Sequence, residues 1–458
     1  MTKSALLIIL LSTFNSFGQK SKITQHILFS GKIENPISDT LNLLDKNQDL
    51  VQSIILNKNN SFRDTLKLPE GYYRLVNGDE GIKIYLKPNF DLRLTLNTAE
   101  FDESIKYQGK GANENNYLAK KALLTESFGQ LNYYGYYAKL DESTFLKLTD
   151  SLQLVQKNYL QKTKKLDNGF FYLESKALDY EKLEKYANYE KMNQFVTGNS
   201  AFKVSENFPN AFVNVDLSDE RLLISLEYLS YIRTFLLRTT FAKTTINDQD
   251  IDYTLAYVQT IKKEVKNKLI RQELLYKVGK WELNNAKNID TVYNQIKPYL
   301  INKKYLSEVK ETYDKLKKTE KGAPSPLFEL NDINGKTVSL SDLKGKLVYI
   351  DIWATWCLPC IKEIPSLAKM EELFKDRDIQ FVSICTEDKE ERRKETIKEK
   401  NLGGLQLFAP TEETSFFKDY SVRGIPRFIL IDKNGKIIDA NAKRPSDPAL
   451  QEEIEKHL

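Results

Sequence analysis

Two cysteines separated by two residues, Cys357-Leu358-Pro359-Cys360, constrain this chain more than any other feature in it. They stand behind an apolar run, Leu347-Val348-Tyr349-Ile350-Asp351-Ile352-Trp353. In front of them, the pattern from Ile361 to Phe374 predicts a helix. A dithiol at a strand-to-helix junction is a redox signature. The attacking species in such chemistry is the thiolate, so the thiol needs a lowered pKa. A cysteine at the first helical turn obtains it from unpaired backbone N–H groups and the helix dipole. Cys360 falls one turn later on the same face, within reach of a mixed disulfide at Cys357. Pro359 suits a first turn, where its missing N–H costs nothing. Trp356 places an apolar plate beside the sulfur.

Composition argues against other uses of the pair. A structural zinc site takes four ligands. The chain holds three Cys and two His, and His26 and His457 are far away in sequence. A purely structural bridge over so short a loop would gain little chain entropy. Cys385 ends the apolar run Phe381-Val382-Ser383-Ile384 and reads as a small buried hydrophobe without a catalytic role. Hence no metal is expected, and no cofactor beyond the redox-active pair Cys357–Cys360. A net charge of +5 over 458 residues, with charges interspersed, offers no clustered basic face for nucleic acid.

The run Trp353-Ala354-Thr355-Trp356-Cys357-Leu358-Pro359-Cys360 is followed by Lys362-Glu363-Ile364-Pro365 and later by Gly424-Ile425-Pro426. With these, the last third of the chain resembles the thioredoxin superfamily, and within it the TlpA-like/ResA-like periplasmic thiol–disulfide oxidoreductases. The resemblance implies Cys357 as nucleophile, Cys360 as resolving thiol and Pro426 as a cis-proline facing them; cis peptides are nearly confined to X–Pro bonds. It implies that the Ile425 backbone pairs with an extended substrate segment, with Trp356 and Pro359 beside it. Asp351 matches the buried Asp of thioredoxins, and Glu363 the buried Glu of the ResA-like group. A carboxylate near a thiolate raises both pKa values and can take a proton from Cys360. Carrying both acids departs from either pattern and leaves open which one acts. The implied partners are disulfide-containing proteins and a membrane thiol carrier as electron donor. The expected activity is reduction, in cytochrome c maturation or more generally. Two alternatives compete: a thiol peroxidase, whose Thr-x-x-Cys site is absent around Cys357, and a binding or assembly module dedicated to one partner.

At this length two or three domains are expected. Lys3, the apolar run from Ala5 to Leu11 and the small residues of Ser16-Phe17-Gly18 predict an export signal over 1–18. Its apolar core is too short for a normal span, so a soluble periplasmic chain is expected. Residues 23–110 read as a small β-sandwich-like domain: 82–86 and 92–96 alternate with period two, and Asn77-Gly78 signals a hairpin. The stretch is similar to the β domain that precedes many TlpA-like proteins. Residues 113–320 read as a central helical region. Phe145, Leu148, Leu152, Val155 and Tyr159 form one stripe; Leu222, Leu226, Leu229, Ile232 and Leu236 form another, with Ser218 as its N-cap. The tyrosines of 133–137 read as packing residues. Lys317 to Pro326 reads as a linker. Residues 323–458 then form a C-terminal α/β thioredoxin-like domain, with hairpins at Asn334-Gly335 and Asn434-Gly435.

Overall fold

The computed structural model describes residues 26–129, 134–244, 251–386, 388–410, 414–422 and 424–458. The expected signal, 1–18, and Tyr133 lie outside them. The chain divides into two compact units: Met1–Asn214 with Arg221–Tyr231, and Val215–Glu220 with Ile232–Leu458.

The first unit opens with eight strands: β1 (Ile27–Glu34), β2 (Thr40–Leu44), β3 (Leu50–Ile55), β4 (Ser61–Leu66), β5 (Gly71–Asn77), β6 (Glu80–Leu86), β7 (Asp91–Asn97) and β8 (Lys106–Lys110). They form two four-stranded sheets, β4-β1-β7-β8 and β3-β2-β5-β6. The expected alternation is plain in β7, where Leu92, Leu94 and Leu96 are buried and Arg93 and Thr95 exposed. The β5–β6 turn needs Gly78, whose φ is +65° and whose added Cβ would strike Ile37. Helices α1 (Phe101–Ser104), α2 (Ala112–Glu126), α3 (Tyr134–Tyr137), α4 (Glu142–Lys162) and α5 (Asn168–Thr197) follow. Asp141 caps α4 by accepting from the Thr144 N–H. Along α4, Phe145 and Leu152 are buried, while Val155 sits at the surface. Of the tyrosines, Tyr137 packs into the core with Phe145 and Tyr189, and Tyr136 is exposed.

Helix α6 (Leu226–Lys243) starts later than its stripe suggested. Residues 220–224 form a 3-10 turn instead. Ser225, not Ser218, meets the first free N–H groups: its Oγ accepts from Tyr228 N at 3.3 Å. The Ser218 hydroxyl bonds Asp216 at 2.6 Å. A stripe marks a buried face, and here that face extends through a tighter turn before the α-helix begins.

The second unit continues with α7 (Tyr253–Glu264), α8 (Lys268–Lys277), α9 (Ile289–Ile296) and α10 (Lys303–Lys318). Helix α8 runs into a π turn, Val278–Glu282. The expected linker is no loose tether. Gly322 N donates to Ile437 O at 2.7 Å, Ile437 N to Ala323 O at 2.9 Å and Ser325 N to Gly435 O at 2.9 Å. Tyr420 Oη donates to Pro326 O at 2.7 Å. Gly and Pro there signal irregular backbone, and irregular backbone can still satisfy its N–H groups on a sheet edge.

The edge belongs to a seven-stranded sheet in the order β10-β9-β13-β12-β11-β14-β15. Its strands are β9 (Glu329–Asp332), β10 (Thr337–Ser339), β11 (Leu347–Trp353), β12 (Ile379–Thr386), β13 (Leu405–Ala409), β14 (Arg427–Ile431) and β15 (Ile437–Asp439). Helices α11 (Leu358–Leu373), α12 (Glu390–Glu399), α13 (Ser415–Asp419) and α14 (Ala449–His457) complete it. Every residue of β11 is buried, as its unbroken apolar run requires for a strand covered on both faces. β11 pairs in parallel with β12 and antiparallel with β14. Helix α13, which no sequence signal announced, buries Phe416 and Phe417. The layout is thus a β-sheet-rich N-terminal region, a helical stretch and a C-terminal α/β thioredoxin-like domain. Among the described residues no helix is long and apolar enough to cross a membrane.

Candidate functional site

Strand β11 delivers the chain to the dithiol, and α11 starts on it. Cys357 is the N-cap of α11, and its Sγ accepts from Cys360 N at 3.2 Å. A sulfur there meets the free N–H groups and positive end of the helix, the setting that favours a thiolate when the pair is reduced. Pro359 lies in the first turn of α11, as its missing N–H allows. Cys357 and Cys360 are joined as a disulfide, with Cα atoms 5.3 Å apart. Both are buried, in a cluster with Trp353, Ala354 and Cys385, against which Ile425 packs. Trp356, by contrast, is 52% exposed. The Ile425–Pro426 peptide is cis.

Asp351 and Glu363 meet Cys360 at one small cavity, of about 10 Å³, also lined by Ser383, Pro426 and Phe428. That is near the smallest space that accepts a water. The two acids differ in company. Ser383 Oγ donates to Asp351 at 2.5 Å. Burial pushes the Asp351 carboxyl up to about 7; the Ser383 bond opposes this and the charge of Glu371 adds to it. Glu363 is tethered by Ser446, whose N–H and hydroxyl each donate at 3.0 Å, and Arg444 Nη1 lies 3.7 Å away.

Cys385 stays a buried thiol, pushed up to about 12 by burial and then by Asp388. Asp388 also accepts from Thr355 N at 2.8 Å, which pins the loop ahead of Cys357. Sequence reasoning missed Ser383, Asp388, Arg444 and Ser446. Ser383 had a signal: it is the polar residue of an apolar strand, in register with Asp351. Ser446 stands 83 positions from Glu363 and had none.

The fold and this dithiol define a class, the thioredoxin-like thiol–disulfide oxidoreductases. Residues 320–456 match the Redoxin family model. Thiol-disulfide oxidoreductase ResA from one strain of Bacillus cereus is 33% identical over 122 residues, covering 27% of this chain and 69% of that protein. ResA from a second Bacillus cereus strain is 30% identical over 144 residues, covering 31% of this chain and 82% of that protein. Among solved structures, the thioredoxin domain of a thiol-disulfide oxidoreductase from Bacteroides vulgatus is 32% identical, covers 30% of this chain and 96% of its own, and superposes with a TM-score of 0.28. The chain belongs to the ResA family of thiol–disulfide oxidoreductases, and its redox-active group is the Cys357–Cys360 disulfide.

Proposed function

We propose that the chain is an exported, periplasmic reductase of protein disulfides, freed of residues 1–18 and carrying the exchange chemistry in residues 323–458. Residues 23–110 and 113–320 form its two other domains. The reduced Cys357 thiolate attacks one sulfur of a client disulfide, forming a mixed disulfide and releasing a client thiolate, which takes up a proton. Cys360 gives its proton to a carboxylate and attacks Cys357 Sγ, which re-forms the Cys357–Cys360 disulfide and releases the second client thiolate. Two electrons pass to the client, and a membrane thiol carrier returns them. Asp351 is the favoured proton acceptor: with a pKa near about 7 it is half-ionised at neutral pH, the optimum for a general base. Glu363 holds the loop at Arg444–Ser446 and the electrostatics of the same cavity. The client chain runs past Trp356 and Pro359 and pairs with the Ile425 backbone beside Pro426.

One observation carries the proposal: Cys360 shares a cavity with two carboxyl groups, while Cys357 Sγ receives a helix N–H. Trapping tests it. Cys360→Ser, expressed in the native host, should accumulate mixed disulfides through Cys357; an exported, folded variant without adducts would refute it. Direction is read from the redox potential, expected nearer thioredoxin's value of about −270 mV than the about −120 mV of a strong oxidant.

A further inference from the structure

Asp388 stands between the end of β12 and the start of α12, where an acid commonly caps the helix that follows. Here it does other work. The N-cap of α12 is Lys389, which makes no capping bond. Asp388 Oδ2 instead accepts from Thr355 N at 2.8 Å, 33 positions back along the chain. Its Oδ1 accepts from Lys389 N at 3.1 Å, which holds the carboxylate to its own loop. Among the described residues no Lys or Arg nitrogen comes within 4.0 Å of this carboxylate. Its bonds are therefore to backbone N–H groups, with the Cys385 thiol 4.0 Å from Oδ2.

Thr355 lies inside the turn that presents the dithiol. Cys357 N donates to Ala354 O at 3.1 Å, which closes Ala354-Thr355-Trp356-Cys357 as a β-turn. Cys357, the last residue of that turn, is also the N-cap of α11. The turn thus decides where Cys357 Sγ stands relative to the free N–H groups of the helix. It also carries the exposed Trp356. The Thr355 hydroxyl is buried and has no hydrogen-bond partner, so the residue is anchored through its N–H. Asp388 is close enough to the sulfurs for its charge to be felt there: after burial, it is the next cause that pushes up the Cys385 thiol, and Cys385 packs in one cluster with Cys357 and Cys360.

In the disulfide form Cys357 is held both by the turn and by its bond to Cys360. Reduction removes the covalent tie. The turn then has to keep Sγ at the helix N-terminus, and Asp388 ties that turn to the loop after the neighbouring strand β12. We propose that Asp388 is a positioning residue for disulfide exchange: by holding the Thr355 N–H it keeps the Ala354–Cys357 turn closed in the reduced chain, with the attacking sulfur already placed for a client disulfide. The inference rests on the proposed role of Cys357 as the nucleophile. A sulfur placed beforehand needs no reordering at the moment of attack.

The test uses the full chain and a synthetic disulfide-bridged peptide. Asp388→Ala removes both the acceptor and the charge. Asp388→Asn removes the charge and keeps an oxygen for Thr355 N. Asp388→Ala should lower kcat/KM about tenfold, and Asp388→Asn should stay within about threefold of wild type. Equal losses in the two variants would show that the charge matters and not the hydrogen bond, and would overturn the proposal. An Asp388→Ala chain as fast as wild type would overturn it too. Because the pin is needed most after reduction, its loss should weaken the reduced form more than the oxidised one. The redox potential of Asp388→Ala should therefore lie below that of Asp388→Asn; equal potentials would sink the link to the reduced state.

A further measurement needs no variant. In the reduced wild-type chain the Thr355 amide should exchange its hydrogen at least about tenfold more slowly than a free amide. Exchange at the free rate once the disulfide is reduced would overturn the proposal, whether or not the alanine variant folds. A wild-type chain that reduces no peptide counts against the reductase proposal instead, and the amide measurement still decides the role of Asp388.

Discussion

Each unit buries carboxylates, and one acid from each, Glu174 in the first and Asp351 in the second, is handled in the opposite way. In the first unit Glu174 is fully buried, with Lys121 Nζ at 3.0 Å and Tyr72 Oη at 2.7 Å. Lys83 stands 2.8 Å from Glu227. Against the upward push of burial, Lys83 and then Lys121 hold Glu227 well below the usual carboxylate range. In the second unit Asp351 is about as buried but has a hydroxyl where Glu174 has an ammonium, and its carboxyl rises to about 7. Burial alone therefore does not decide what an acid does. An acid given a cation is locked in its charged form and serves as structure; one given only a weak donor keeps an exchangeable proton.

The contrast can be broken at either end. The largest effect is expected at the sulfur: Cys357→Ser should cut disulfide reduction by at least about 1,000-fold while leaving the first unit untouched, as turnover of a disulfide peptide and far-UV circular dichroism will report. Next comes Lys121→Met, which strands the buried Glu174 charge. It should destabilise the first unit by about 3–5 kcal/mol in urea unfolding. All three tryptophans, Trp281, Trp353 and Trp356, belong to the second unit. Tryptophan fluorescence thus reports on that unit, and far-UV circular dichroism follows the helices and strands of both.

Asp351→Asn should act the other way. The folded carboxyl titrates near about 7 against an ordinary 3.8, so the folded state holds its proton more tightly. Below the unfolded value both states are protonated and the acid costs nothing. As pH rises through this window the penalty grows, reaching its full size above about 7. The Asn variant should therefore be more stable than wild type at pH 8, with the gain vanishing below about pH 3. Each pH unit of difference is worth about 1.4 kcal/mol, which caps the gain at about 4 kcal/mol. Its second-step rate, the attack of Cys360, should fall and lose its inflection near pH 7. A stability gain that does not change with pH would show that Asp351 does not titrate there. The smallest effect is expected from Ser383→Ala. Losing the bond that opposes burial should move the Asp351 midpoint up by about one pH unit, visible as a shifted inflection in the same rate profile.

What could be read from residues alone follows the range of the forces involved. The apolar run of β11, the period-two strands of the first unit and the α4 stripe are local patterns, and each became the element it predicted. Cys357 sits at a helix N-terminus because Pro359 and the following periodicity define where α11 starts; no distant residue is needed. Where a distant residue chose the outcome, local signals failed. Lys317 to Pro326 reads as a linker, and the β15 hairpin supplies partners for the backbone of residues 322–325.

By itself, then, the sequence determined the class of chemistry: two thiols, their spacing and the strand and helix that hold them are set by neighbours within a few residues. Only the tertiary structure decided the company those thiols keep. It brought Asp351 to Ser383 by sheet register, and Glu363 to Ser446 and Arg427 to Asn284 by the packing of helix, loop and strand, across 32 to about 140 positions of chain. No periodicity encodes such meetings, because they depend on which elements pack together and not on how any one of them forms.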